Sequence, residues 1–404
     1  MSQDTAPPVA SVESVNPSLW PPEPPVAGSP AARSGKGIPI WLWAVIGAVI
    51  GTQLHRLPIT LPELAWLPFL LALALTTWLH IVVHEAGHAL AGTLFGQNVF
   101  ALGVGRWRLE RGQKRWHWRR GTAVKGISGF AILIPRAGRE PTRTDMVMYF
   151  LGGPLVNLLT AALIFVVVWI WKPALGPASA WLGAGCAALI LGVINLVPFR
   201  SAGWYSDGMS LLHLLQGKTA ARLRLQTARL QGLAFMGVRP RDWPQAWLPE
   251  ADSGNGDEAD RLLFLVGDLL HMLWAIDTRQ APLALAIAAK TAGQLHVVPA
   301  ALRPTLAVNL AICIARFQPD PALLAAWMPI VEGPSLLDLS AQQALLRAEH
   351  AFLMGDLDRV RTELQQTREK FNRIHDATSA LLVRERIEEL EEAVAAASAQ
   401  APGT

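Results

Sequence analysis

The sequence predicts a mainly α-helical, polytopic membrane fold with about four transmembrane helices, a small membrane-associated β-sheet and an α-helical C-terminal domain. Three observations carry this expectation. Hydrophobic residues make up 51% of the 404 and charged residues only 16%, and mean hydropathy is +0.30, the balance of a membrane chain. Four long apolar stretches fall in the first half, each near the length that a bilayer requires. Between the second and third, the pattern changes from helical to the period-two alternation of strands.

The elements follow in order. Residues 1–36 are rich in Pro, Ser, Ala and Val, centred on Trp20-Pro21-Pro22-Glu23-Pro24-Pro25. They are expected to be a disordered, partly polyproline tail, and no apolar core follows a charged start as in a cleavable signal peptide. The first span is expected from about Ile38 to Gln53, short but within what tilt and bilayer thinning tolerate. The second runs from about Leu61 to Phe95, the third from Met146 to Trp171 and the fourth from Ala178 to Phe199. The second is longer than one crossing needs, so its last turns are expected to project beyond the hydrocarbon or to be shielded by protein.

Charge sets the orientation. Residues 97–145 carry Arg106, Arg108, Arg111, Lys114, Arg115, Arg119, Arg120, Lys125, Arg136, Arg139 and Arg143 against Glu110, Glu140 and Asp145. A basic patch interleaved with Trp107, Trp116 and Trp118 is one pattern of nucleic-acid binding. After an apolar span it fits the positive-inside rule with interfacial tryptophans, so the expected partners include membrane lipids and no nucleic acid. With Arg33 and Lys36 before the first span, this places both termini in the cytoplasm of a multi-pass protein, expected in a bacterial cytoplasmic membrane. Within the loop, Arg106–Leu109 and Arg115–Trp118 alternate around a turn at Arg111-Gly112-Gln113, and Gly129–Ile134 forms a further strand ending at Pro135. The two cysteines, Cys186 and Cys313, have no metal-type spacing.

Beyond Gly208 the chain is Ala/Leu-rich. Helical hairpins are expected around Asp277-Thr278-Arg279, Pro319-Asp320-Pro321 and Gly355-Asp356. A tetratricopeptide-like array and a plain helical bundle produce the same pattern. The expected domains are thus the tail (1–36), a transmembrane domain (37–215) that includes the basic loop, and a cytoplasmic helical domain (216–404) that offers a surface to a protein partner.

Chemistry concentrates in His84-Glu85-Ala86-Gly87-His88, near the end of the second apolar stretch. On a helix, residues four apart share a face, so His84 and His88 can reach one Zn²⁺ while Glu85 stays beside it. Ionisable groups in a membrane helix are costly and point to function; an accidental match with both histidines hydrogen-bonded in a core is the plain alternative. A catalytic zinc needs a third protein ligand. His80 shares the face but lies eight residues from His88, about 12 Å along the axis, too far for one ion with His84 also bound. Glu110 sits among arginines at a hairpin turn, where solvated charge accounts for it. Asp145 opens the third span, where capping suffices. Asp207 follows Asn195-Leu196-Val197-Pro198 at the cytoplasmic end of the fourth span, and Gly208 after it permits close approach. Capping the helix from Met209 is the other role open to Asp207.

These motifs together, with Gly153-Pro154-x-x-Asn157 in the third span, resemble the site-2 protease family of intramembrane zinc metalloproteases over roughly residues 60–215. The resemblance implies that His84, His88 and Asp207 bind zinc, that Glu85 is the catalytic base and that a transmembrane protein is the substrate. Asn157 or Asn195 is expected to bind substrate or support the oxyanion, or else to satisfy backbone groups where helices meet. The sequence departs from the family in the eight residues, Phe199 to Ser206, between the proline and Asp207. The rival functions are a catalytically inactive membrane scaffold and a zinc sensor or transporter, each with a helical adaptor domain.

Overall fold

A computed structural model describes residues 17–23, 63–121, 123–124, 126–136, 138–201, 204–249 and 258–400. The expected span at Ile38–Gln53 lies outside the described residues. Among the described residues, three helices are long and apolar enough to cross a membrane: α1 (Trp66–Leu94), α2 (Arg143–Trp171) and α3 (Leu175–Leu196). The three pack on one another. Where α1 meets α2, a side chain on Gly87 would reach within 2.5 Å of the Gly152 carbonyl, so small residues set this close crossing.

The N-terminus of α2 has a clear local cause. Thr142 and Asp145 form a capping box, with Asp145 N–H donating to Thr142 Oγ1 at 3.2 Å and Thr142 N–H to Asp145 Oδ2 at 2.9 Å. This starts the helix at Arg143, three residues before the expected Met146, and confirms Asp145 as a cap. Arg139 also donates to it at 2.8 Å.

Four antiparallel strands, β1 (Gln97–Val104), β2 (Trp107–Arg111), β3 (Trp116–Arg120) and β4 (Gly129–Pro135), form a sheet ordered β3-β2-β1-β4. The hairpin of β2 and β3 pairs Leu109 with Trp118 and Arg111 with Trp116. Alternation puts Trp116, Trp118 and Arg120 outward, while Arg108 and Glu110 of β2 turn inward and are buried. β4 is an edge strand and runs beside α1.

A two-residue hairpin, β5 (Arg200–Ser201) with β6 (Trp204–Tyr205), leads into α4 (Asp207–Gln216). The rest is helical: α5 (Thr219–Phe235), α6 (Glu258–Asp277), α7 (Ala281–Gly293), α8 (Arg303–Phe317), α9 (Pro321–Val331), α10 (Ser340–Leu353), α11 (Leu357–Lys370) and α12 (Ala377–Gln400). The three expected hairpin turns fall between α6 and α7, α8 and α9, and α10 and α11. The main core of this domain includes Leu230, Met272, Leu310, Ile314, Leu323, Leu324 and Trp327.

Two expectations change. Glu110 is not solvated: it is 1% exposed, because the helical domain closes over the β2–β3 hairpin. Its Oε1 accepts from Arg119 at 2.7 Å and its Oε2 from the Asp338 N–H at 2.9 Å, with His375 Nε2 at 3.3 Å. Nor is the proline-rich segment a tail throughout. Pro17–Leu19 form a 3₁₀ turn against α7, and Leu19 belongs to the helical domain's core.

Candidate metal centre

Three side chains from two elements converge. α1 supplies His84 and His88, one turn apart on one face; α4 supplies Asp207 in its first position. His84 Nε2 lies 3.1 Å from His88 Nε2 and 3.1 Å from Asp207 Oδ2, and His88 Nε2 lies 3.4 Å from that same oxygen. In a tetrahedral zinc site with bonds of about 2.0–2.1 Å, neighbouring ligand atoms stand about 3.3 Å apart. Among the described residues these three form the one cluster of His, Cys, Asp and Glu able to hold a metal ion.

The tautomers suit a cation. His88 Nδ1–H donates to the Tyr149 carbonyl at 2.7 Å, which leaves its Nε2 a bare lone pair aimed at the centre. His84 Nδ1 faces the Asn157 amide at 3.3 Å. Asn157 is wholly buried, and its Oδ1 has no partner when Nδ2 is the atom facing the ring. The reverse amide orientation, with Oδ1 accepting from Nδ1–H, gives that oxygen a partner and again leaves Nε2 bare. Two neutral imidazoles and one carboxylate are a donor set that zinc favours.

Two missing side chains make the room. A Cβ on Gly153 would come within 2.5 Å of His88 Nε2 and 2.8 Å of His84 Nε2. A Cβ on Gly208 would sit 1.9 Å from the Leu196 carbonyl, so only glycine lets α4 start against the end of α3.

The eight residues before Asp207 deliver it rather than displace it. The β5–β6 hairpin folds them back, and Ser206 N–H donates to the Phe199 carbonyl at 3.0 Å. Ser206 Oγ accepts from Phe199 N–H and Met209 N–H, both at 3.1 Å, and donates to the Val197 carbonyl at 2.8 Å. Ser206 is therefore the N-cap of α4. That frees the Asp207 carboxylate, which capping would otherwise have occupied, for the histidines.

Glu85 is buried beside His88 and Asp207. Its carboxylate lies against Gly129, the first residue of β4, where a Cβ would come within 2.5 Å of Oε1. The sheet thus lies alongside the carboxylate. Trp204 of the hairpin packs in one small cluster with Ile127, Phe130 and Ile132.

Of the other expected site residues, Asn157 reaches the far nitrogen of His84, an orienting position. Asn195 does not join the cluster: its Nδ2 donates to the Leu191 carbonyl of its own helix at 2.9 Å. His80 is buried one turn before His84 and hydrogen-bonds the Ala184 backbone. Sequence reasoning missed Tyr149. It holds His88 through its main-chain carbonyl, a role that no residue type signals, and its hydroxyl donates to the Ala131 carbonyl of β4 at 2.7 Å.

No protein-family model matches the chain, and neither the curated proteins nor the solved structures hold a match to it.

Proposed function

We propose that this protein is an intramembrane zinc metalloprotease that hydrolyses peptide bonds in or near transmembrane segments of other membrane proteins. The observation that carries the reading is the convergence of His84, His88 and Asp207 around one centre with Glu85 buried next to them. It occurs inside helices that are apolar and expose Leu71, Leu75, Trp78, Leu163 and Trp169, surface that suits lipid better than water. The site-2 protease resemblance supplies the reaction class; of its motif residues, His84, Glu85, His88 and Asp207 meet, with Asn157 behind His84.

Zn²⁺ in this site would polarise the scissile carbonyl and lower the pKa of a bound water. The chain's own residues do the remainder. Asp207 supplies the negative charge, and the Tyr149 carbonyl and Asn157 fix the two imidazoles by their outer nitrogens. Glu85 accepts a proton from water and hands it to the leaving amine. β4, through Gly129, closes one side of the Glu85 carboxylate.

The membrane reading also bears on topology. Three spans alone would leave Pro17–Glu23 and the helical domain on opposite faces, yet Leu19 lies in that domain's core. Their contact agrees with the further span expected at Ile38–Gln53, outside the described residues.

The test is Glu85→Gln in the purified protein, with metal content and cleavage of a transmembrane substrate measured together. Both proteins should hold one zinc, and cleavage should fall by about 10²–10⁴-fold, the range for loss of a general base. Zinc in both with cleavage in neither, across several substrates, would favour the scaffold or sensor reading. Absence of zinc from both would remove the site.

A further inference from the structure

Through Leu19, the segment Pro17–Glu23 docks into the core of a domain that begins some two hundred residues later. Leu19 is 1% exposed, among the most buried side chains of the described residues, and η1 (Pro17–Leu19) lies along α7. Its cluster includes Ala284, Ile287 and Ala288 of α7 and Leu323, Leu324 and Trp327 of α9. Leu19 thus fills an apolar socket that the helical domain builds from two neighbouring hairpins.

The contact also has a polar anchor. Trp327 is wholly buried, and its indole N–H donates to the Leu19 carbonyl at 2.6 Å. A buried indole N–H needs an acceptor, and here the acceptor is main chain, which any peptide can provide. Around the anchor the segment stays at the surface: Ser18, Trp20, Pro22 and Glu23 are exposed. One buried aliphatic residue, one carbonyl anchor and flanking prolines form the pattern of a bound linear peptide. Prolines at 17, 21 and 22 restrict the free segment and so reduce the ordering cost of binding.

We propose that α7 and α9, around Trp327, form a peptide-binding groove whose tethered ligand is this chain's own Pro17–Glu23. The partner it fits is a proline-flanked segment of another protein that forms a short 3₁₀ turn and presents a leucine-sized aliphatic residue. Such a segment enters only by displacing the tethered one. This makes the helical domain an adaptor that is self-occupied at rest, and it holds whatever the metal centre does.

The experiment uses the full-length protein in detergent and a fluorescein-labelled peptide of its own residues Ser14–Val26, with binding read by fluorescence anisotropy. A tethered segment competes at an effective concentration on the order of 1 mM, so the wild type should bind the free peptide weakly. The Leu19→Glu protein, its own segment undocked, should bind at least about tenfold more tightly, and the milder Leu19→Ala should shift the same way. A peptide carrying Leu19→Glu should not bind either variant. Equal, weak binding to wild type and both variants, with helicity and elution volume unchanged, overturns the proposal and makes the segment a strap. Loss of helicity in both variants overturns it equally, because a domain that loses only a ligand stays folded.

Discussion

His84, His88 and Asp207 bring two imidazole nitrogens and a carboxylate oxygen together with every lone pair facing one centre. Glu110, Arg119 and His375 make a second cluster, with Glu110 and His375 buried and drawn from parts of the chain even further apart, yet there each acceptor faces a donor. In the second cluster Arg119 and the Asp338 N–H saturate the two oxygens of Glu110, and His375 donates from Nδ1 to the Arg111 carbonyl at 2.9 Å while facing Glu110 with Nε2. Nothing is left over for a ligand. In the first cluster the outer nitrogens are held and the inner ones converge, so a cation is the natural counterpart. Burial of ionisable groups alone does not mark a site; the sign of what they face does.

The sharpest way to break this contrast is to remove one member of each cluster and measure zinc. His84→Ala, His88→Ala or Asp207→Asn should reduce bound zinc from about one per chain to under about a tenth, since a catalytic zinc keeps only three protein ligands. Asn157→Ala, which frees the outer nitrogen of His84, should weaken zinc affinity by about 10–100-fold in chelator competition. Glu110→Gln and His375→Gln should leave zinc content unchanged. Zinc that survives loss of Asp207 would erase the distinction.

A smaller effect is expected at the junction. Glu110→Gln leaves Arg119 and His375 facing a neutral amide beneath the helical domain, and breaking a buried ion pair from one side costs about 3 kcal/mol. Thermal unfolding of the helical domain should shift down accordingly. A loss below about 0.5 kcal/mol, the size of an exposed pair, would mean that the hairpin is not clamped.

The two clusters also differ in how far the sequence discloses them. The histidines and Glu85 are legible because a helix fixes their spacing, and the glycines beside them because close approach has few other solutions. Asp207 is legible only as far as two adjacent residues, Ser206 and Asp207, that can both cap a helix. Which one caps depends on the β5–β6 hairpin turning Ser206 Oγ toward Phe199 and Met209. Glu110 is misleading in sequence because its neighbours are arginines, while the partner that matters, His375, comes 265 positions later. Leu19 is hidden for the same reason: a proline-rich context says what the free chain does and nothing about a socket near Trp327. Local rules of spacing, capping and alternation carry the helices, the sheet and half the metal centre. Contacts between distant segments carry the rest.

The same contrast has a pH signature, the smallest of the expected effects. Burial alone would lower the His375 pKa, but Glu110 and the Arg111 carbonyl outweigh it and hold the imidazole above its ordinary 6.5. Burial would raise Glu110, but His375 and Arg119 outweigh it and hold the carboxyl below its ordinary 4.5. Asp338 and, through it, Arg373 at 3.6 Å complete the charges around the pair. A raised His375 stabilises the fold fully below its ordinary value, and that contribution fades as pH rises through the shifted one. A lowered Glu110 contributes above its ordinary value and loses that contribution as pH falls through the shifted one. Both act together between about pH 4.5 and 6.5, so the gap in Tm between wild type and His375→Gln should be widest there. It should narrow as pH rises above that window, while the zinc content of the two proteins stays equal throughout. A gap that does not change with pH would mean that His375 acts through packing, as its contact with Phe100 at 5.1 Å between ring centres would allow, and not through charge.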